Sequence, residues 1–259
     1  MDFLAVTTSV GTLSLVGRVH TRGPRPTLLA VRGAFPPSEY LHDLVDTFPG
    51  VNVLIATIPG MGTGPWVDID AAGFARGLDE ALDTLAPTSP VVAYGSSAGN
   101  LVALNLCCPR IVRRIAEEPF LQTKDLWPFI ANSRERLRVP DLRPTVPRIL
   151  WTYFGITSDG VENRDYRALA DRITVPTDVM VGGEALLPER GLLTWPSFSS
   201  EEDRARLAAN PLVTMHVGPP GTGHGLAIEG SGRQQLESLI LSALREAAKQ
   251  PRDGSSRGE

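Results

Sequence analysis

The chain has 259 residues, 42% of them hydrophobic and 21% charged, with a formal net charge of −4. That length suits one large domain, or one domain carrying a substantial insertion, and the balance lacks the basic footprint of a nucleic-acid binder. The two cysteines, Cys107 and Cys108, are neighbours in sequence. This rules out a disulfide framework and offers no C-x-x-C zinc spacing, so a reducing cytoplasm is expected. The first residues, Met1 to Val6, lack the basic-then-apolar order of a signal peptide, and no run of about 18 apolar residues suggests a membrane span.

In chain order, the first thirty residues read as strands. Thr12 to Val19 alternates apolar with small or polar residues, the Thr21–Pro26 stretch makes a turn, and Thr27 to Val31 is a continuous apolar run of the kind buried on both faces. Ser38 is placed to cap a helix through Tyr40, Leu41, Leu44 and Val45. A second buried strand follows at Val51 to Ala56, a glycine-rich loop at Ile58 to Pro65, and a helix at Asp70 to Leu85 with Phe74, Leu78, Ala81 and Leu82 on one face. Pro90 to Tyr94 is a third strand, Ala98 to Cys107 an apolar helix, and Ile111 to Ala116 a fourth strand of this series. Apolar strands alternating with amphipathic helices predict a mostly parallel sheet of about eight strands with helices on both sides, an α/β fold. Active sites in such sheets lie at the carboxyl ends of the strands.

The rhythm breaks between about 119 and 173, where five prolines accompany Trp127, Phe129, Trp151, Tyr153 and Phe154. This stretch is expected to form a helical cap inserted into a core of residues 1–118 and 174–250. The strand pattern returns at Thr177 to Val181 and Leu212 to Val217. A last helix spans about Gln234 to Ala248, and a polar tail, 251–259, is expected to be disordered.

Chemistry concentrates after two of these strands. Gly95-Ser96-Ser97-Ala98-Gly99 fits G-x-S-x-G, a weak pattern alone. Its position between a buried strand and an apolar helix is what a nucleophile elbow requires, with small residues two before and two after the serine. Ser97 is therefore the expected nucleophile, and Ser96 has the wrong spacing. A hydroxyl nucleophile needs a base. His224, in Pro219-Pro220-Gly221-Thr222-Gly223-His224-Gly225 between the last strand and the last helix, is the expected one. His216 lies inside an apolar strand, while His20 and His42 precede the nucleophile.

On these residues the chain resembles the α/β-hydrolase superfamily over nearly its whole length. Ile58-Pro59-Gly60-Met61-Gly62-Thr63-Gly64 is similar to the family's Asp-x-Pro-Gly-x-Gly-x-Ser segment, with Thr57 and Gly64 where Asp and Ser often stand. Val31-Arg32-Gly33-Ala34-Phe35-Pro36 is similar to its His-Gly-x loop, with Arg32 in place of the histidine. The resemblance implies an oxyanion hole from the backbone amides of Ala34 and Ala98. For the triad acid it implies Glu184, counted back from Pro188 in the loop after Val181. Glu118, in the loop after the Ile111–Ala116 strand, is the alternative, because some members draw the acid from there. Asp159 is a more distant candidate. Arg32, Phe35, Trp66, Trp127, Phe129 and Trp151 are expected near a substrate pocket, with Arg32 either binding an anionic group or paired within the protein.

The expected function is that of a cytoplasmic serine hydrolase that cleaves a carboxylic ester, lactone or thioester of a small, apolar substrate. It would use no cofactor or metal, bind no nucleic acid or membrane, and act as a monomer or homodimer. The rival readings are an acyltransferase or cyclase using the same triad, and a non-hydrolytic small-molecule binder of the same fold.

Overall fold

The computed structural model describes residues 2–20, 23, 25–35, 39–61, 69–140, 142–186, 196–225 and 230–249, the side chains of 39–42 excepted. Eight strands form one sheet: β1 (Asp2–Thr8), β2 (Gly11–Arg18), β3 (Thr27–Arg32), β4 (Asn52–Thr57), β5 (Val91–Ser96), β6 (Ile111–Glu117), β7 (Thr177–Val181) and β8 (Val213–Val217). Their spatial order is β1-β2-β4-β3-β5-β6-β7-β8. β1 is antiparallel to β2 and β2 to β4, while β3 to β8 run parallel. The expected α/β-hydrolase fold is observed, with a first hairpin whose two strands sequence reasoning did not separate.

The period-2 alternation of the buried strands sorts their side chains between two layers. Leu29, Val31, Leu54, Ala56, Val91 and Ala93 face one layer, and Leu28, Ala30, Val53, Ile55, Val92 and Tyr94 the other. The second layer is closed by helix α1 (Glu39–Thr47), through Leu44 and Val45, and by helix α8 (Gly230–Lys249), through Leu236, Ile240, Ala243 and Leu244. Helix α2 (Ala71–Leu85) and helix α3 (Gly99–Ala103) cover the first layer. Asp70 caps α2, its carboxylate accepting the Gly73 N–H at 2.7 Å, as expected of an N-cap aspartate. Ser38, the cap expected for α1, lies outside the described residues.

Helix α3 is shorter than the periodicity suggests. The helix expected to reach Cys107 stops at Ala103, because the Asp79 carboxylate accepts the N–H groups of Cys107 (2.8 Å) and Cys108 (3.0 Å). Those amides leave the helical ladder, and Pro109 follows.

Between β6 and β7 the chain runs outside the sheet through α4 (Trp127–Arg136), α5 (Thr145–Phe154) and α6 (Ala168–Asp171). Val146, Ile149, Leu150, Tyr153 and Phe154 of α5 join the same apolar cluster as Phe74, Leu101 and Ala116 beneath them. The segment thus extends the first layer and has no core of its own among the described residues. Helix α7 (Glu201–Ala208), absent from the sequence reading, precedes β8. Its N-cap Ser200 accepts the Asp203 N–H at 3.2 Å.

Candidate active site

β5 ends in a sharp turn in which Ser97 has φ 53°. Left-handed backbone is uncommon and costly for a residue with a Cβ, so neighbouring groups must hold it. The Ser97 N–H donates to the Glu117 carbonyl (2.9 Å), the Asn100 N–H donates to the Ser97 carbonyl (2.9 Å), and the Asn100 amide nitrogen donates to both carbonyls. A Cβ at Gly95 would lie 2.9 Å from Asn100 Cα, and one at Gly99 would lie 2.2 Å from the Val31 carbonyl oxygen. The two glycines of the pentapeptide are therefore required by close backbone approach. The loop after β3 presses on the same turn: a Cβ at Gly33 would meet Ser97 Cβ at 2.9 Å. That contact brings Ala34 beside the elbow, where Ala98 is fully buried.

Glu118 is the residue after β6, also left-handed at φ 53°, and is 1% exposed. Four donors surround its carboxylate. Oε1 accepts from the Gly182 N–H (2.5 Å) and the Ser197 hydroxyl (2.9 Å). Oε2 accepts from the Phe198 N–H (2.8 Å) and faces His224 Nδ1 at 3.3 Å. Burial alone would raise its pKa. The bond and the attraction to His224, with the two backbone amides, outweigh burial and hold the carboxyl below its ordinary value. The carboxylate therefore fixes the His224 proton on Nδ1 and leaves Nε2 as the basic nitrogen. Phe198 stacks on the imidazole with ring centroids 3.7 Å apart and planes 16° from parallel.

Glu184 does not reach His224. Its carboxylate accepts the Gly221 N–H at 3.2 Å, and its own N–H donates to the Thr222 carbonyl at 3.2 Å. The sequence expectation is corrected on this point: the carboxylate on His224 is the alternative, Glu118, and Glu184 braces the loop that carries the histidine. Gly183, just before it, lets that loop pack against the end of β7, since a Cβ there would fall 2.1 Å from the Pro219 carbonyl oxygen. Asp159 is exposed, its N–H donating to the Thr157 hydroxyl at 3.3 Å, and makes no hydrogen bond to His224 among the described residues. His216 bonds Asp178 at 2.8 Å, and Arg113 binds the other oxygen of the same carboxylate at 2.7 Å, so this histidine belongs to a structural ion network.

The expected pocket residues divide. Phe35 (φ 59°) and Phe129 have ring centroids 6.3 Å apart, and Phe129 lies 5.7 Å from Phe198, which stacks on His224. These rings form a continuous aromatic path to the imidazole. Arg32 is buried at the end of β3, beside the elbow. Trp127 is half-buried at the start of α4, lining a recess with Lys124, Leu186 and Ser200. Trp151 is 43% exposed on the outer side of α5, with the Arg164 guanidinium 4.5 Å from its ring. It is therefore a surface residue, turned outward because Leu150, Tyr153 and Phe154 take the inner side of the helix. Trp66 lies outside the described residues.

Sequence reasoning missed Ser197, Phe198 and Asp203. Asp203 is buried in the first turn of α7, and its carboxylate accepts the Leu121 N–H at 3.0 Å. It ties the chain beyond Glu118 to the segment that supplies two of that carboxylate's donors. The capping pattern from Ser200 to Asp203 was the available signal for α7. Nothing in the sequence marked Ser197 or Phe198.

A model of the alpha/beta hydrolase family matches residues 25–235, and the chain belongs to that family. Its fold is similar to that of a thermophilic esterase from Thermogutta terrifontis (18% identical, 95% of this chain and 99% of the other covered, TM-score 0.62). It is likewise similar to an esterase from Pyrococcus furiosus (18%, 95% and 90%, TM-score 0.65) and to the thioesterase domain of the curacin biosynthetic pathway (17%, 93% and 99%, TM-score 0.61). Comparison with curated protein sequences gives no match. Among the described residues, no helix is long and apolar enough to cross a membrane.

Proposed function

We propose that the protein is a serine hydrolase acting on an ester-like bond of a small substrate, with Ser97 as nucleophile, His224 as base and Glu118 as the acid that orients it. The observation that carries this reading is the Glu118–His224 pair. A buried carboxylate held by three other donors fixes the imidazole's tautomer at the same sheet edge where a left-handed serine ends β5. Ser97 and Glu118 follow the neighbouring strands β5 and β6, which lie about 4.8 Å apart, so the serine stands one strand from the carboxylate that holds the base.

In the proposed reaction, His224 Nε2 takes the Ser97 hydroxyl proton as Oγ attacks the carbonyl carbon. The oxyanion is held by the Ala34 and Ala98 amides, worth several kcal/mol of barrier between them. The tetrahedral species collapses, and His224 returns the proton to the leaving oxygen or sulfur. Water, deprotonated by the same nitrogen, then releases the acid and restores Ser97. Glu118 stays ionised throughout and stabilises the imidazolium. Phe35, Phe129 and Phe198 give the substrate an apolar wall.

The test is a fluorophosphonate probe read by intact mass. Wild type should gain one adduct, mapped to Ser97, and Ser97→Ala should gain none while remaining folded. A folded wild type that stays unlabelled would refute the assignment. Turnover of p-nitrophenyl esters, lactones and acyl thioesters then ranks the bond types.

A further inference from the structure

The stretch from the last turn of α4 into α5 is basic in an acidic protein. From 134 to 148 it carries Arg134, Arg136, Arg138, Arg143 and Arg148 against Glu135 and Asp141, while the whole chain has a net charge of −4. A cavity of about 420 Å³ opens there, lined by Arg136, Val139, Pro140, Leu142, Arg143 and Val146. Its floor is apolar: Val146 is 1% exposed and belongs to the main core cluster. Arg134 is engaged with the Ser158 carbonyl. Arg136 and Arg143 are exposed and form no ion pair among the described residues.

Arg136 also ties this cavity to the site. Its guanidinium carbon stands 5.3 Å from the centroid of the Phe35 ring, a cation–π distance. Phe35 directly follows Ala34 and begins the aromatic path through Phe129 and Phe198 to His224. Its left-handed backbone is the kind of strain that persists where surrounding contacts impose it. Two guanidiniums over an apolar floor, at the far end of an aromatic wall that starts at the base, fit a chain with an apolar middle and an anionic end.

We infer that Arg136 and Arg143 form a subsite for a carboxylate or phosphate carried by the substrate at a distance from its ester-like bond. The inference rests on the hydrolase reading and specifies its substrate class. The anion either ends the acyl chain or sits on the leaving group.

Two matched probe pairs separate these sources. In the first, p-nitrophenyl hydrogen adipate is compared with p-nitrophenyl hexanoate. In the second, hexanoyl coenzyme A is compared with the hexanoyl thioester of N-acetylcysteamine. Wild type should favour the anionic member of one pair by about tenfold in kcat/KM, mainly through KM, and the advantage should shrink as salt is raised. Arg136→Gln and Arg143→Gln should each lower that ratio, and the double variant should bring it close to one. An advantage confined to the first pair assigns a carboxylated acyl chain; one confined to the second assigns a phosphate on the leaving side. An enzyme that turns over the neutral members with no preference in either pair overturns the inference and leaves the hydrolase reading standing. If nothing is turned over, calorimetric titration of hydrogen adipate monoethyl ester and of coenzyme A into Ser97→Ala protein decides. Saturable, salt-sensitive binding lost in the double variant supports the subsite, and no binding overturns it. Fluorophosphonate labelling of wild type reports separately on the nucleophile.

Discussion

Two carboxylates stand one strand apart at the same edge of the sheet, and they are held in opposite ways. Glu118, after β6, is buried and receives four donors, one of them the ring of His224. Glu184, after β7, is half-buried and accepts from the backbone of Gly221. Backbone direction separates them: the left-handed residue at 118 turns the chain out of β6, whereas β7 runs into two glycines before reaching 184. The lesson is that a carboxylate is suited to partner a histidine by the donors that keep it ionised under burial. The loop on which it is found is a weaker guide.

The sharpest way to break this comparison is to neutralise each carboxylate. Glu118→Gln sets an amide donor against the donors that now converge there, so kcat should fall by about 10³–10⁴-fold. Glu184→Gln should retain activity within about threefold, because the amide oxygen can still accept the Gly221 N–H and no bond to His224 is lost. Steady-state kinetics on one p-nitrophenyl ester reads both, and a reversed order would exchange the two roles. Next in size is Gly183→Ala. A Cβ 2.1 Å from the Pro219 carbonyl must push the histidine loop away, and displacement of this kind costs up to about 10²-fold in rate. The measurement is kcat together with the melting temperature.

Phe198→Leu keeps the backbone N–H that Glu118 uses and removes the ring on His224. Aromatic contacts are worth about 0.5–1.5 kcal/mol, so kcat should fall by up to about tenfold. Asp203 bears on stability rather than rate and gives the clearest sign. Burial pushes its carboxyl up to about 6, from an ordinary 3.8. Between those values the folded chain holds a proton that the unfolded chain has released, so stability falls as pH rises through the window. Asp203→Asn keeps an acceptor for the Leu121 N–H without the charge. It should therefore gain stability over wild type, by about 1–3 kcal/mol above pH 6, and lose that advantage near pH 4. Urea melts at the two pH values measure it.

Much of the frame was legible because strand burial is written as local runs. Thr27–Val31, Val91–Tyr94 and Thr177–Val181 need only their own residues to announce a strand buried on both faces. The elbow was legible because its glycines answer close contacts with Val31 and Asn100 that any such turn creates. The partner of His224 was not, since it depends on which of two loops bends left-handed, and no residue type at 118 signals that. Ser197 and Phe198 were invisible for the same reason: their value lies in meeting a carboxylate 79 and 80 residues away. Trp151 misled because aromatic content does not say which side of α5 the ring occupies. The end of α3 depended on Asp79, a residue of the preceding helix.

The pocket around Glu118 also bears on how the protein is made. The chain supplies Ser97 and Glu118 early, but the donors to that carboxylate come from Gly182, Ser197, Phe198 and His224. A nascent chain that has emerged only through β6 would have to keep Glu118 in water, because a buried carboxylate without those donors costs several kcal/mol. The burial of Glu118 and its pairing with His224 therefore depend on the same late segments of the chain.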